Sequence, residues 1–156
     1  MENKQYKDSM NKTEQIIKRS VDFVIATCCL IFFSPLAIAC AIAIRLEDGL
    51  PVIYRQERIG LHGKPFFIYK FRSMKIDAEK DGPDLLEIKG DPRLTKVGRY
   101  LRMHHLDELP QLWNVFKGDM SFVGPRPERK YYIDQIMEHD PRYTYLYQIR
   151  PGVTSY

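Results

Sequence analysis

Polar and apolar positions set apart one long uncharged run, residues 23–44, with 22 consecutive positions lacking a charged side chain. As a single helix it would reach about 33 Å, close to the ~30 Å hydrocarbon core of a bilayer. The run is interrupted at Ser34-Pro35. Pro35 removes a backbone N–H and crowds the carbonyl of Ile31, and Ser34 can bond back to a carbonyl one turn earlier. The break leaves arms at residues 23–33 and 36–44, each about half a bilayer long. Three readings compete: a kinked spanning helix, a helix that enters and returns on one side, and a signal peptide. The signal peptide fits poorly, because 22 mostly polar residues precede the run and the run exceeds the usual ~7–15 residues. Ala37-Ile38-Ala39 does have the form of a cleavage site. Lys12, Lys18 and Arg19 precede the run, and Arg45, Arg55 and Arg58 follow it. Basic flanks mark the cytoplasmic side, so two basic flanks favour the re-entrant reading.

Elsewhere the pattern alternates over shorter windows. Residues 51–56 and 65–71 read as strands joined by the turn Leu61-His62-Gly63-Lys64, a hairpin. Helices are expected at 94–103, at 106–116 with a stop at Gly118, and at 128–139 ahead of Pro141. Residues 1–15 read as a loose polar lead-in, and the acidic stretch 77–91, with Gly82-Pro83 and Gly90, as a mobile loop holding a short helix. The expected fold class is α/β and mostly helical. Residues 1–47 form a lead-in and membrane helix, and residues 48–156 a small cytoplasmic domain with a short β-hairpin.

Composition changes this picture little. The 156 residues suit one domain, and 44% hydrophobic content suffices for a core. The three cysteines, Cys28, Cys29 and Cys40, all lie in the uncharged run, without zinc spacing, and read as small apolar residues. Net charge is +4, but Arg93, Lys96, Arg99 and Arg102 cluster with no acid between them. Such a cluster suits an anionic partner or a solvated helix face. A sequence pI near 8.9 permits nucleic acid, while the 20 acidic residues and the lipid-like run argue against it.

Three constellations carry candidate chemistry. His105-Leu106-Asp107-Glu108-Leu109-Pro110 places two carboxylates near a helix start, since Pro110 is disfavoured beyond a first turn. There the helix dipole favours ionised carboxylates, for stability alone or for catalysis. Lys70 and Arg72 fall on one face of the second strand, and Arg55 on the partner strand could converge with them or simply be solvated. In Gly124-Pro125-Arg126-Pro127 the prolines hold Arg126 extended, ready for a bidentate grip on phosphate, or for nothing beyond a rigid loop. Tyr131, Tyr132, Tyr143, Tyr145 and Tyr147 could stack on a base, seat the domain at a membrane interface or pack in the core. Together these features suggest a diphosphate substrate at a membrane, for which carboxylate oxygens and Mg²⁺ are suited. The rival is a membrane adaptor binding anionic lipid or protein, which assigns nothing to the carboxylate pair.

From Lys18 onward the chain resembles the monotopic phosphoglycosyl transferases, the bacterial sugar transferases. The resemblance rests on Lys18-Arg19-x-x-Asp22, Ser34-Pro35-Leu36, Arg55-Gln56-x-Arg58-x-Gly60, Lys70-Phe71-Arg72-Ser73-Met74, Thr95-Lys96-Val97-Gly98-Arg99, Leu106-Asp107-Glu108-Leu109-Pro110-Gln111-Leu112, Gly118-Asp119-Met120-Ser121, Val123-Gly124-Pro125-Arg126-Pro127 and Arg150-Pro151-Gly152-Val153-Thr154. It implies a re-entrant helix broken at Ser34 and Pro35, in the bacterial cytoplasmic membrane with the catalytic domain on the cytoplasmic face. It implies an Asp107–Glu108 dyad with Mg²⁺, and a covalent phosphosugar–Asp107 intermediate. A UDP-sugar would give up its sugar 1-phosphate to polyprenyl phosphate with release of UMP, the first membrane step of a surface-glycan pathway. Lys70, Arg72, Arg102 and Arg126 would neutralise phosphate, and Asp107 and Glu108 would hold the metal. Membrane lipids are implied partners and nucleic acid is not; nothing in the sequence bears on oligomeric state. His105 stands where the family has Ser or Thr, so the dyad turn loses a cap. The resemblance also implies a chain continuing beyond Tyr156.

Overall fold

The structure is a computed structural model and describes residues 10–76, 78 and 91–155. Helix α1 spans Lys12–Phe32 and α2 spans Ser34–Asp48, separated only by Phe33. Asn11 starts α1 with a reciprocal cap: its side chain accepts from the Glu14 N–H at 2.9 Å, and its own N–H donates to Glu14 at 2.8 Å. The helix thus begins inside the expected lead-in, of which residues 1–9 lie outside the described part. Pro35 occupies the first turn of α2, where no N–H is needed. The break therefore falls one residue ahead of Ser34-Pro35. Among the described residues no single helix is long and apolar enough to cross a membrane. By length and composition α1 and α2 pass that test together, as a pair bent by 59°. They leave Ile31 and Phe32 71% and 77% exposed.

Strands β1 (Ile53–Ile59) and β2 (Pro65–Phe71) form the expected hairpin, closed by a 3-10 turn at Leu61–Gly63. Helix α3 (Lys96–Met103) begins behind Thr95, whose hydroxyl caps the Gly98 N–H at 2.8 Å. A 3-10 turn, Leu106–Glu108, leads to α4 (Gln111–Lys117) and β3 (Ser121–Val123). The helix expected at 106–116 is therefore two elements. Helix α5 (Lys130–His139), a 3-10 stretch (Pro141–Gln148) and β4 (Gly152–Thr154) follow. Strands β3 and β4 pair in parallel, Ser121 opposite Gly152 and Val123 opposite Thr154. Of the expected acidic loop at 77–91, only Ala78 and Asp91 fall within the described residues.

The elements pack as two units. One takes α1 as far as Ile31, Gln56–Ile68 and the chain from Gln111 onward. Its core is Ala26, Ile68, Val115 and Met120, flanked by Phe66, Phe116, Phe122 and Val153; burying each large apolar side chain contributes roughly 1.5–3 kcal/mol. Polar ties fix α1 within this unit. Asp22, 7% exposed, accepts from Ser121 Oγ at 2.8 Å and from Lys18 Nζ at 3.3 Å, and Lys18 also donates to Ser121. Arg19 donates to the carbonyls of Val115 and Phe116 at 2.6 and 2.7 Å, at the C-terminal end of α4, where helix carbonyls run out of intrahelical donors.

The other unit takes Phe32–Arg55 and the chain from Tyr69 to Pro110. Cys40, Ile44, Phe71 and Leu101 form its core, with Val52, Val97, Leu106 and Leu109 against them. Here α3 lies hard against the strand end. A Cβ on Gly98 would come within 1.9 Å of the Ser73 carbonyl oxygen, so only glycine permits the approach.

Candidate active site

Pro110 decides the backbone around Asp107 and Glu108. In an α-helix its N–H would serve the Leu106 carbonyl, and proline has none. The chain closes shorter rings instead: Leu109 N–H to Leu106 O at 3.2 Å, and Glu108 N–H to His105 O at 3.3 Å. Both acids therefore sit on a 3-10 turn. This corrects the expectation that they occupy the first turn of a long α-helix and owe their state to its dipole. His105 enters the turn in the left-handed region, at φ 55°, and its side chain makes no cap.

Asp107 is 8% exposed, and its Oδ1 is buried without a hydrogen-bond partner. Burial pushes its carboxyl above the ordinary carboxylate range; Lys70 and Arg102 pull it down, Glu108 adds to the rise, and the net direction is up. Lys70, on β2, donates to Glu108 Oε1 at 2.8 Å, with the two side chains 23% and 26% exposed. Arg102, on α3, donates through Nε to Ser73 Oγ at 2.9 Å. The sequence reading did not assign Ser73. Its position directly after the candidate cation Arg72, just past the strand expected at 65–71, was the available signal.

Arg72 and Lys70, which strand alternation puts on one face, reach different partners. Arg72 is 7% exposed, and its Nη2 donates to the carbonyls of Asp48 and Gly49 at 2.7 and 3.1 Å and lies 3.1 Å from the Asp48 carboxylate. Its Nε and Nη1 are buried without hydrogen-bond partners. Arg55 is exposed. The cationic run 93–102 also divides: Arg93 pairs with Asp91, Arg102 turns to Ser73, and Lys96 and Arg99 face solvent.

Arg126 belongs to the first unit. Its loop is pinned through three carbonyls: Pro125 accepts from Gly152 N–H at 2.9 Å, Pro127 from Arg58 Nη1 at 3.0 Å, and Glu128 from Ile59 N–H at 3.2 Å. The exposed Arg126 side chain lines a cavity with Gly60, Pro127, Tyr143 and Tyr147. The Tyr147 hydroxyl is buried without a hydrogen-bond partner, and burial, with Tyr143 and Asp134, pushes it up to about 12.

Among the described residues no group of three or more His, Cys, Asp or Glu side chains is placed to hold a metal ion. The donors at the site reduce to Asp107, with its unpartnered oxygen, and Glu108, already held by Lys70.

The chain is 44% identical over 140 residues to the UDP-N-acetylgalactosamine-undecaprenyl-phosphate N-acetylgalactosaminephosphotransferase of Aeromonas hydrophila, covering 90% of this chain and 33% of that protein. It is 47% identical over 139 residues to the UDP-glucose:undecaprenyl-phosphate glucose-1-phosphate transferase of Caulobacter vibrioides, covering 88% of this chain and 51% of the relative. The Escherichia coli protein of the same description is 40% identical over 151 residues, covering 97% of this chain and 32% of the relative. The chain thus spans about a third to a half of the length of these relatives. The family model described as bacterial sugar transferase matches residues 13–156. On that match, which takes in both units and the Asp107–Glu108 turn, the chain belongs to the bacterial sugar transferase family.

Proposed function

We propose that the chain transfers a sugar 1-phosphate from a UDP-sugar to undecaprenyl phosphate, releasing UMP, with Asp107 as the covalent nucleophile. The observation that carries this reading is the state of Asp107: buried, with one carboxylate oxygen unpartnered, and with Lys70 and Arg102 near enough to act on its charge. The substrate class follows from relatives described as acting on UDP-N-acetylgalactosamine or UDP-glucose and undecaprenyl phosphate.

In this mechanism a carboxylate oxygen of Asp107 attacks the β-phosphorus. The bond from that phosphorus to the bridging oxygen breaks, and UMP leaves with the electron pair. The undecaprenyl phosphate oxygen then attacks the same phosphorus, which restores the Asp107 carboxylate and yields the lipid diphosphate sugar. Lys70 and Arg102 offset phosphate charge next to the dyad, Arg72 offers Nε and Nη1, and Arg126 offers a planar fork held by its prolines. Glu108, held by Lys70, acts as a proton acceptor or a second oxygen donor.

Magnesium fits this donor set, because Asp107 presents a buried oxygen without a partner, and Mg²⁺ takes one or two carboxylates and completes its shell from phosphates and water. Bound at Asp107, with or without Glu108, it would offset the charge of the diphosphate. The bent apolar pair α1–α2 supports a re-entrant seat for residues 1–47 in the bacterial cytoplasmic membrane, with residues 48–156 on the cytoplasmic face.

The test is intact mass. Wild-type protein given a UDP-sugar without acceptor gains one phosphosugar and releases one UMP, and Asp107→Asn does neither. Turnover by Asp107→Asn at the wild-type rate would remove Asp107 from the nucleophile role.

A further inference from the structure

A helix C-terminus is an unfavourable place for acids, because the carbonyl end of the dipole repels them. Helix α2 nevertheless ends on Glu47-Asp48. Both acids are engaged by segments that carry candidate phosphate-binding cations. Glu47 Oε1 accepts from the Lys96 N–H at 2.7 Å, and Oε2 from the Val97 N–H at 2.8 Å. One carboxylate therefore fills two of the donors that open α3. Asp48 lies 3.1 Å from Arg72 Nη2, immediately after the strand that carries Lys70. Helix α3 is also stopped along its side. The Thr95 N–H donates to the Ser73 carbonyl at 3.1 Å, and Gly98 touches the same peptide. About one and a half turns beyond the Glu47 contact, Arg102 Nε donates to Ser73 Oγ at 2.9 Å. Arg102 is thus located by two stops: Glu47 at the start of its helix and Ser73 along its flank.

We propose that Glu47 is a positioning residue, whose carboxylate seats α3 so that Arg102 meets the substrate diphosphate beside Asp107. A residue that breaks a local helix rule and satisfies two backbone donors on another helix marks a place where local stability is traded for arrangement. The identity of the diphosphate rests on the transferase reading; the clamp does not.

The test uses the whole chain in detergent, with inorganic pyrophosphate as the probe. Five proteins are compared: wild type, Glu47→Gln, Glu47→Asp, Arg102→Ala and the double variant of Glu47→Gln with Arg102→Ala. Glu47→Gln keeps the side-chain size but removes the charge and turns one acceptor into a donor facing an N–H. Its dissociation constant for pyrophosphate is expected to rise about tenfold, the scale of losing a helix cap. Hydrogen exchange at the Lys96 and Val97 amides is expected to speed up. Adding Glu47→Gln to Arg102→Ala is expected to cost no further affinity, and kcat/KM for UMP release should follow the same non-additive pattern. Glu47→Asp should recover part of the loss. Unchanged pyrophosphate affinity in Glu47→Gln, or no pyrophosphate binding by wild type, would overturn the proposal. So would an equal loss in both backgrounds, which would make Glu47 a general stabiliser acting without Arg102. If the binding cycle holds and wild type releases no UMP from any UDP-sugar, the transferase reading fails and the clamp stands.

Discussion

Gly98→Ala separates tertiary fit from helix propensity, because the two have opposite signs at this position. In an exposed helix interior, alanine is about 1 kcal/mol more favourable than glycine. Here the added Cβ would meet the Ser73 carbonyl oxygen at 1.9 Å and the Ser73 carbonyl carbon and Cα at 2.6 Å. All three are backbone atoms, so no side-chain rotation relieves the clash. Helix α3 would have to move about 1.5 Å to regain the 3.4 Å of ordinary contact. That shift breaks the Thr95–Ser73 backbone bond and pulls Arg102 from Ser73. Overpacking of this kind costs about 3 kcal/mol, enough to reverse the propensity gain. Urea denaturation in detergent measures it, as a lower midpoint at unchanged slope. Gly63→Ala is the contrast. Its Cβ meets nothing within 4 Å, and its φ of +70° alone should cost about 1–2 kcal/mol. UMP release by Gly98→Ala should fall below wild type even where the variant is fully folded, because Arg102 has moved. A Gly98→Ala protein as stable as wild type would refute the close approach of α3 to Ser73 and the placement of Arg102 built on it.

The raised carboxyl of Asp107 makes its ionisation oppose folding: the stability present below the ordinary Asp value is lost as pH rises through the folded one. Asp107→Asn should therefore be more stable than wild type at pH 7 by urea denaturation, with the gap closing below the ordinary value of about 3.9; a less stable variant at pH 7 contradicts this. The acid limb of wild-type UMP release should likewise lie above the ordinary Asp range. Asp22→Ala removes the acceptor of Ser121 and Lys18 and should cost about 2–3 kcal/mol, moderated because Lys18 remains partly in water. A loss under about 0.5 kcal/mol would mean that α1 is held by its apolar contacts alone. Ser34→Ala with Pro35→Ala should let α1 and α2 fuse and carry residue 11 across the membrane. Cysteines placed at Asn11 and Lys117, in a chain lacking Cys28, Cys29 and Cys40, report this through an impermeant reagent. Neither should react in the parent from outside the cell, and labelling of the Asn11 position alone in the parent rejects the re-entrant seat.

Features governed by neighbours in sequence were legible. The hairpin followed from alternation around Leu61-His62-Gly63, and the helix break from the missing N–H of Pro35. The site was legible as residue types and less so as environment. Pro110 was read as marking a helix start, and its effect is to substitute 3-10 bonds around Asp107 and Glu108. Arg72 looked like a second phosphate cation beside Lys70, yet its Nη2 is committed to the end of α2. Glu47 carried no signal except its poor fit to the end of its own helix, because its partners lie 49 and 50 residues away. Burial, which sets the state of Asp107, depends on packing from several elements and has no local pattern.

The tie between Asp22 and Ser121 also sets a timetable. The partners are 99 residues apart in the chain. At a synthesis rate of roughly 5–20 residues per second, α1 leaves the ribosome about 5–20 s before β3 exists to receive it. Throughout that interval Asp22 has Lys18 but not Ser121, and the apolar flank lacks Val115 and Met120, so whatever first covers α1 in the cell acts before the rest of its unit has been made.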